Sequence, residues 1–175
     1  MIKEIRLNAF DMNCVGHIQH GMWTHPRDRS VAYNTIGYWQ DLARLAERGK
    51  FDGIFLADIV GVYDVYRGGP APSVVNAVQI PVNDPMMVVP VMAAVTEHIG
   101  FGVTANLTYE PPYLFARRMS TLDHLTSGRV GWNIRHRLSR QRGARHGIGG
   151  PARPRQPLRH RIHVCRLPIV GGQLG

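Results

Sequence analysis

Three polar side chains close short apolar runs of the sequence, and a carboxylate, a hydroxyl and an amide placed that way could hold the polar edge of a ligand. Asp58 closes the run 51–57, and Thr104 and Asn133 fall at the ends of the runs 101–106 and 129–134. Hydroxyls and side-chain amides both donate and accept hydrogen bonds, whereas an ionised carboxylate only accepts. Each also has a plainer reading: an aspartate in the loop after a strand, a β-favouring threonine, an asparagine in a turn. No residue stands out as a catalytic acid, base or nucleophile. His17, His20 and His25 raise the question of a metal. Their spacing sets them on no common helix face, and no Cys or carboxylate accompanies them at ligand spacing. They are expected to line the entrance above the first strand, with no metal.

These runs alternate with helical patterns. Ile2 to Phe10 alternates apolar and polar residues, as a strand with one buried face does. Residues 11–30 read as a long loop around Pro26-Arg27-Asp28. From Asn34 as N-cap, Ile36, Trp39, Leu42, Ala43 and Ala46 recur at helical spacing until Gly49. The run 51–58 suits a strand buried on both faces. Residues 60–82, with Gly68-Gly69-Pro70 and Pro72, form a long connection of the kind that is functional or disordered. Asp84-Pro85 opens a helix through Val89, Met92, Ala93 and Thr96. The third strand, 101–106, leads into a helix from Pro111-Pro112 with Leu114, Phe115, Arg118, Met119 and Leu122, closed near Gly128. A fourth strand follows at 129–134. Trp39, Met92 and Met119 lie on the apolar stripes of these helices and are expected in the core. The alternation implies an α/β fold, a parallel sheet covered by helices.

The 175 residues carry a formal net charge of +9, but its distribution is uneven. Residues 1–134 hold 11 Lys+Arg against 12 Asp+Glu, while residues 135–175 hold ten Arg and no acid. The excess therefore sits wholly in the tail. Cys14 and Cys165 lie too far apart in too long a chain to form a disulfide framework and read as free thiols. The first residues lack a signal-peptide core, and the longest apolar run, Met86 to Val95, is too short for a bilayer and contains Pro90. A soluble, cytoplasmic protein with no membrane partner is expected.

The stretches FDGIFLAD (51–58), PVNDPMMVVPVMAAVTEHIGFGVTAN (81–106) and FARRMSTLDHLTSGRVGWNI (115–134), with DMNCVGH and THPRDRS before them, resemble the luciferase-like flavin-dependent monooxygenases. They are similar to the branch that holds nitrilotriacetate, dibenzothiophene-sulfone and long-chain alkane monooxygenases and pristinamycin synthase. The similarity covers residues 1–134 in order. It implies a TIM (β/α)8 barrel of the bacterial-luciferase type, with about the first four β/α units present. It also implies reduced FMN from a separate flavin reductase, O2 as co-substrate, and a flavin hydroperoxide that passes one oxygen atom to a small organic substrate. Homo-oligomers are implied for the intact family. Asp58, Thr104 and Asn133 match family positions at or near the flavin, on the barrel face where such enzymes build their sites. The wider superfamily also uses the deazaflavin F420, which leaves an F420-dependent oxidoreductase as an alternative.

The tail, 135–175, contains no Phe, Trp, Tyr, Lys, Asp or Glu. It could be a disordered basic arm binding nucleic acid through phosphates, although it has neither interleaved aromatics nor a known module. The second reading is a slipped reading frame. Arg135 to Arg140 can be written CGT CAC CGG CTA TCT CGA, which read one base later gives Val-Thr-Gly-Tyr-Leu-Asp. The family continues after GWNI with a segment very like VTGYLDSAARGMG, and the same shift over Leu158–Leu174 yields another family-like run. The expectation is an out-of-frame tail on a truncated and inactive form.

Overall fold

A computed structural model describes residues 5–16, 21–59, 61–106 and 110–135. Strands β1 (Asn8–Met12), β2 (Gly53–Ala57), β3 (Gly100–Asn106) and β4 (Val130–Arg135) form one sheet in the order β1-β2-β3-β4. All three pairings are parallel, so each connection must cross over the sheet. Helix α1 (Ile36–Arg48) makes the first crossover, the short α2 (Ala71–Val75) and α3 (Val89–Ala93) share the second, and α4 (Pro112–Leu125) makes the third. Strands that follow chain order in this way are the arrangement around a (β/α)8 barrel. Among the described residues no helix is long and apolar enough to cross a membrane.

One face of the sheet carries the core. Ile54 and Leu56 of β2, Phe101 and Val103 of β3 and Val130 of β4 pack on Trp39, Ala43 and Ala46 of α1, Val89 and Met92 of α3, and Phe115, Met119 and Leu122 of α4. The helix residues recur three or four apart, which sets them on one side of each helix. Alternation sends Phe10, Phe55, Gly102, Thr104, Gly131 and Asn133 to the opposite face. There the Phe10 and Phe55 rings stack with centroids 5.5 Å apart, and a Cβ on Gly102 would lie 3.2 Å from the Phe55 ring. That second face is only partly covered among the described residues: Phe10 is 52% exposed. The expectation that β2 is buried on both faces therefore holds for its core side alone.

Several boundaries differ from the sequence reading for local reasons. β1 runs on to Met12 because Asp11 and Met12 stay in register with Leu56 and Ala57. The cap of α1 is Thr35, whose hydroxyl accepts from the Tyr38 amide at 3.4 Å, and not Asn34. Gly49 follows α1 at φ −73°, and the left-handed residue is Lys50 at φ 60°. Gly49 fits closely there, since a Cβ would sit 3.2 Å from the Phe51 ring. The single helix expected from Asp84 is broken into a 3-10 turn, Pro85–Met87, and α3. Pro90 has no N–H to continue a ladder begun upstream, so the helix restarts around it. β4 reaches Arg135, one residue into the basic segment.

The N-terminal ends of the strands are tied by polar groups. The Arg129 guanidinium donates to the carbonyls of Thr126, Ile99, Ala93 and Thr96 and to the Thr96 hydroxyl, at 2.9–3.2 Å. Glu47 Oε1 accepts from three consecutive amides, those of Glu97, His98 and Ile99, at 2.9, 2.7 and 3.1 Å. Those bonds, the His98 amide first, hold the Glu47 carboxyl below its usual range. Asp52 accepts from Arg6 at 2.7 Å and from the Leu7 amide at 2.8 Å. Replacing Arg129 by Met should leave several of these acceptors without a donor. An expected loss of roughly 2–4 kcal/mol follows from the cost of orphaned polar groups, read from urea unfolding, with Arg129→Lys recovering only part of it.

Candidate active site

The opposite, C-terminal end of the sheet gathers the residues singled out by the sequence. Thr104 and Asn133 are register partners. They are joined by a hydrogen bond, Asn133 Nδ2 donating to Thr104 Oγ1 at 3.0 Å. Thr104 is buried and Asn133 half-buried. Neither closes its strand: β3 continues to Asn106 and β4 to Arg135. Asp58 follows directly on β2, half-buried. The register Leu56↔Val103 and Val103↔Trp132 puts Ala57 level with Thr104 and Asn133, so Asp58 lies one residue beyond that level. The structure thus pairs Thr104 with Asn133 and sets Asp58 at the same end.

Two residues expected in a loop, Asp11 and Cys14, also lie at this end, Asp11 on the helix-covered face level with Leu56. Asp11, the penultimate residue of β1, has Oδ1 accepting from the Met12 amide at 2.8 Å and Oδ2 accepting from the Tyr38 hydroxyl of α1 at 2.9 Å. Burial pushes the Asp11 carboxyl up, the two hydrogen bonds oppose this, and the Asp28 charge adds to it. Burial, reinforced by Asp11, likewise raises the Tyr38 phenol. Cys14 is buried, and its thiol is pushed up to about 12 by burial first and then by the charges of Asp11 and Asp58. It is therefore a neutral thiol, and it places Asp11 and Asp58 within electrostatic reach of one point. The only signal for Asp11 in the sequence was that it continued the alternation of β1 by one step. Nothing local marked Tyr38, which meets Asp11 across 27 positions. His25 uses Nδ1 to accept from the Arg27 amide at 3.1 Å, a turn contact. His17 and His20 lie outside the described residues.

The hydrogen-bond direction between Thr104 and Asn133 determines what the pair can offer. Because Thr104 Oγ1 accepts from the amide, its own proton is available to another acceptor, and Asn133 keeps one N–H donor and its Oδ1 acceptor. Donor and acceptor stand side by side at one strand level, which suits a planar ring edge of alternating C=O and N–H. Residues 14–169 match the family description "Luciferase-like monooxygenase". The chain belongs to that family. Among relatives of this luciferase-like monooxygenase, a long-chain alkane monooxygenase of Geobacillus thermodenitrificans is 59% identical over 134 residues, 77% of this chain and 30% of the relative. A dimethyl-sulfide monooxygenase of Hyphomicrobium sulfonivorans is 58% identical over 134 residues, 77% of this chain and 28% of the relative. The crystal structure of long-chain alkane monooxygenase superposes with a TM-score of 0.83 at 52% identity, covering 88% of this chain and 36% of that one. The luciferase-like chain thus spans about a third of the length of the proteins it matches, and its four-stranded sheet is the corresponding part of their TIM barrel.

The raised carboxyl of Asp11 gives a pH dependence with a definite sign. A folded-state value above the ordinary 3.8 means that the ionised form costs stability at neutral pH. That cost is relieved as pH falls through the raised folded value towards the ordinary one. Wild type should therefore gain stability relative to Asp11→Asn between neutral pH and about pH 4. Urea midpoints of the two proteins measured across that range check this, and a parallel pair of curves would contradict it.

Proposed function

We propose that residues 1–134 are the N-terminal four β/α units of a monooxygenase that uses reduced FMN and O2 on a small organic substrate, with the flavin supplied by a separate reductase. The Thr104–Asn133 pair is the observation that carries the reading. Thr104 O–H and the second Asn133 N–H would donate to flavin ring carbonyls and nitrogens, and Asn133 Oδ1 would accept a ring N–H. Asp58, one residue above, would add an acceptor at the same edge. Two related proteins support the cofactor and the partner. The crystal structure of a riboflavin lyase with modified FMN superposes with a TM-score of 0.77 at 32% identity over 86% of this chain. A nitrilotriacetate monooxygenase component A, whose name marks it as one component of a larger system, is 35% identical over 123 residues.

Bound reduced flavin would supply the oxygen activation. The chain's own residues bind and orient it and limit water at the strand ends. Met12 and Cys14 are buried at the end of β1 and Ala57 is half-buried level with the polar pair, so the packing there is uncharged. A substrate with an apolar body is proposed from the alkane and the sulfide in the names of the two relatives above. The reading divides the chain at 134/135 and takes 135–175 as an out-of-frame tail. Pairing over 134 residues with both relatives supports that division, although the family description runs on to residue 169.

Four strands do not close an eight-stranded barrel. As a 175-residue polypeptide the protein is accordingly expected to bind FMN more weakly than micromolar in a fluorescence titration and to be inactive. The nucleotides on either side of codon 135 test the tail, and an in-frame parent sequence there excludes the slip. Restoring the downstream frame should give an enzyme that oxygenates an alkane or dialkyl sulfide only with FMN, a flavin reductase and O2 present. In that enzyme Thr104→Val and Asn133→Leu should each weaken FMN binding roughly tenfold, as the loss of about one hydrogen bond implies. Undiminished FMN affinity in both variants would remove the pair from the flavin site.

A further inference from the structure

The connection 61–84 leaves β2 beyond Asp58 and is hydrogen-bonded back onto the residues that follow β1. The Gln79 amide donates to the Val15 carbonyl at 3.1 Å, and the Asn83 amide to the Asn13 carbonyl at 2.8 Å. A third bond comes from a side chain: Asn13 Nδ2 donates to the Asp84 carbonyl at 3.1 Å. The segment thus crosses the C-terminal ends of β1 and β2 as a strap, on the side where Cys14 and Asp58 stand.

The strap has little regular structure to support itself. Its short α-helix, α2, is braced by Ser73 Oγ donating to the Tyr63 carbonyl at 2.8 Å and by the Val78 amide donating to the Ser73 carbonyl at 2.9 Å. Ala77 and Gln79 are both held at φ 52°, a left-handed backbone that non-glycine residues keep only when their surroundings fix it. Gln79 is 4% exposed, at the point where its amide meets Val15. The strain and the latch coincide.

Asn13 is the side chain that closes this latch, and it is 3% exposed. Its Nδ2 is used, while its Oδ1 has no partner among the described residues. Turning the amide over would bring Oδ1 against the Asp84 carbonyl, acceptor against acceptor, so the orientation is set by the strap. A buried acceptor without a donor is costly, and an aliphatic side chain of the same shape would avoid that cost. What an aliphatic residue could not supply is the donor to Asp84.

We propose that Asn13 is a positioning residue whose Nδ2–H latches the strap 61–84 across the ends of β1 and β2 and so fixes the wall of the site's mouth. What the strap encloses rests on the flavin reading of the site; the latch itself does not. The test uses the full chain without flavin, as wild type and as Asn13→Leu. Amide exchange at Gln79 and Asn83 should quicken about tenfold or more in the variant, as local opening predicts. Trypsin cleavage after the exposed Arg67 should quicken with it. Exchange in β3, at Val103 for example, should stay within about twofold, and the urea midpoint should shift little, because the variant removes the orphaned Oδ1 while taking the donor from the Asp84 carbonyl. Unchanged exchange at Gln79 and Asn83 overturns the proposal. So does equal acceleration in β3, which would make Asn13 an ordinary core residue. Flavin titration of the frame-restored enzyme is a separate measurement, and its failure would strike the flavin reading while leaving the latch in place.

Discussion

The sheet depends most on the guanidinium of Arg129, which spends all five of its N–H groups inside the protein. Its acceptors are four backbone carbonyls and one hydroxyl, with no carboxylate among them. Three of those carbonyls, from Ala93, Thr96 and Thr126, come from the ends of α3 and α4 and the turns beyond them, where helix carbonyls lack internal partners and carry partial negative charge. A planar cation with fixed donor directions answers several such groups at once, which an ammonium cannot. The face of Phe101 lies 5.4 Å from the guanidinium carbon and completes its setting. One side chain thereby fixes where two helices stop and where β3 and β4 begin.

The two ends of the sheet use their polar groups differently. The N-terminal ends of the strands are closed by Arg129, Glu47 and Asp52, each serving backbone groups. At the C-terminal ends the polar side chains serve one another, Asn133 with Thr104 and Tyr38 with Asp11. A carboxylate kept in partial burial with no paired cation among the described residues is a poor way to gain stability. At Asp11 this cost falls at the same end as the neutral thiol of Cys14 and the donor–acceptor pair of β3 and β4. The division matches the barrel rule that one face holds the fold and the other the site.

Much of this was legible in the residues. Short apolar runs separated by helical stripes were enough to place four strands and their crossovers, because burial of Ile54, Leu56, Phe101 and Val103 is a local consequence of pattern. Strand-end polarity pointed to Asp58, Thr104 and Asn133, but the bond between the last two depends on a register that no local pattern contains. Thr35 displaced Asn34 as the cap because both are good capping types and only the backbone path decides between them. Pro90 broke a helix that its neighbours favoured. Arg129 looked like the charged flank of a strand, since its five acceptors are spread over more than thirty positions. Asn13 and Gln79 were hidden for the same reason: they matter through the segments they join.

Glu47 has a consequence for how motion can spread. One carboxylate oxygen ties the last turn of α1 to the start of β3, residues 50 to 52 positions away. The chain between them, which includes β2 and the whole strap, is a loop whose two ends are fastened together by a noncovalent rivet. The strap is also bonded to Asn13 and Val15, outside that loop, so its movement bears on the end of β1 as well. Acid loosens the rivet from the outside, because Glu47 must take up a proton before the three amides are released. Acid thus acts at both ends of the sheet with opposite sign, loosening the Glu47 rivet while relieving the buried charge of Asp11.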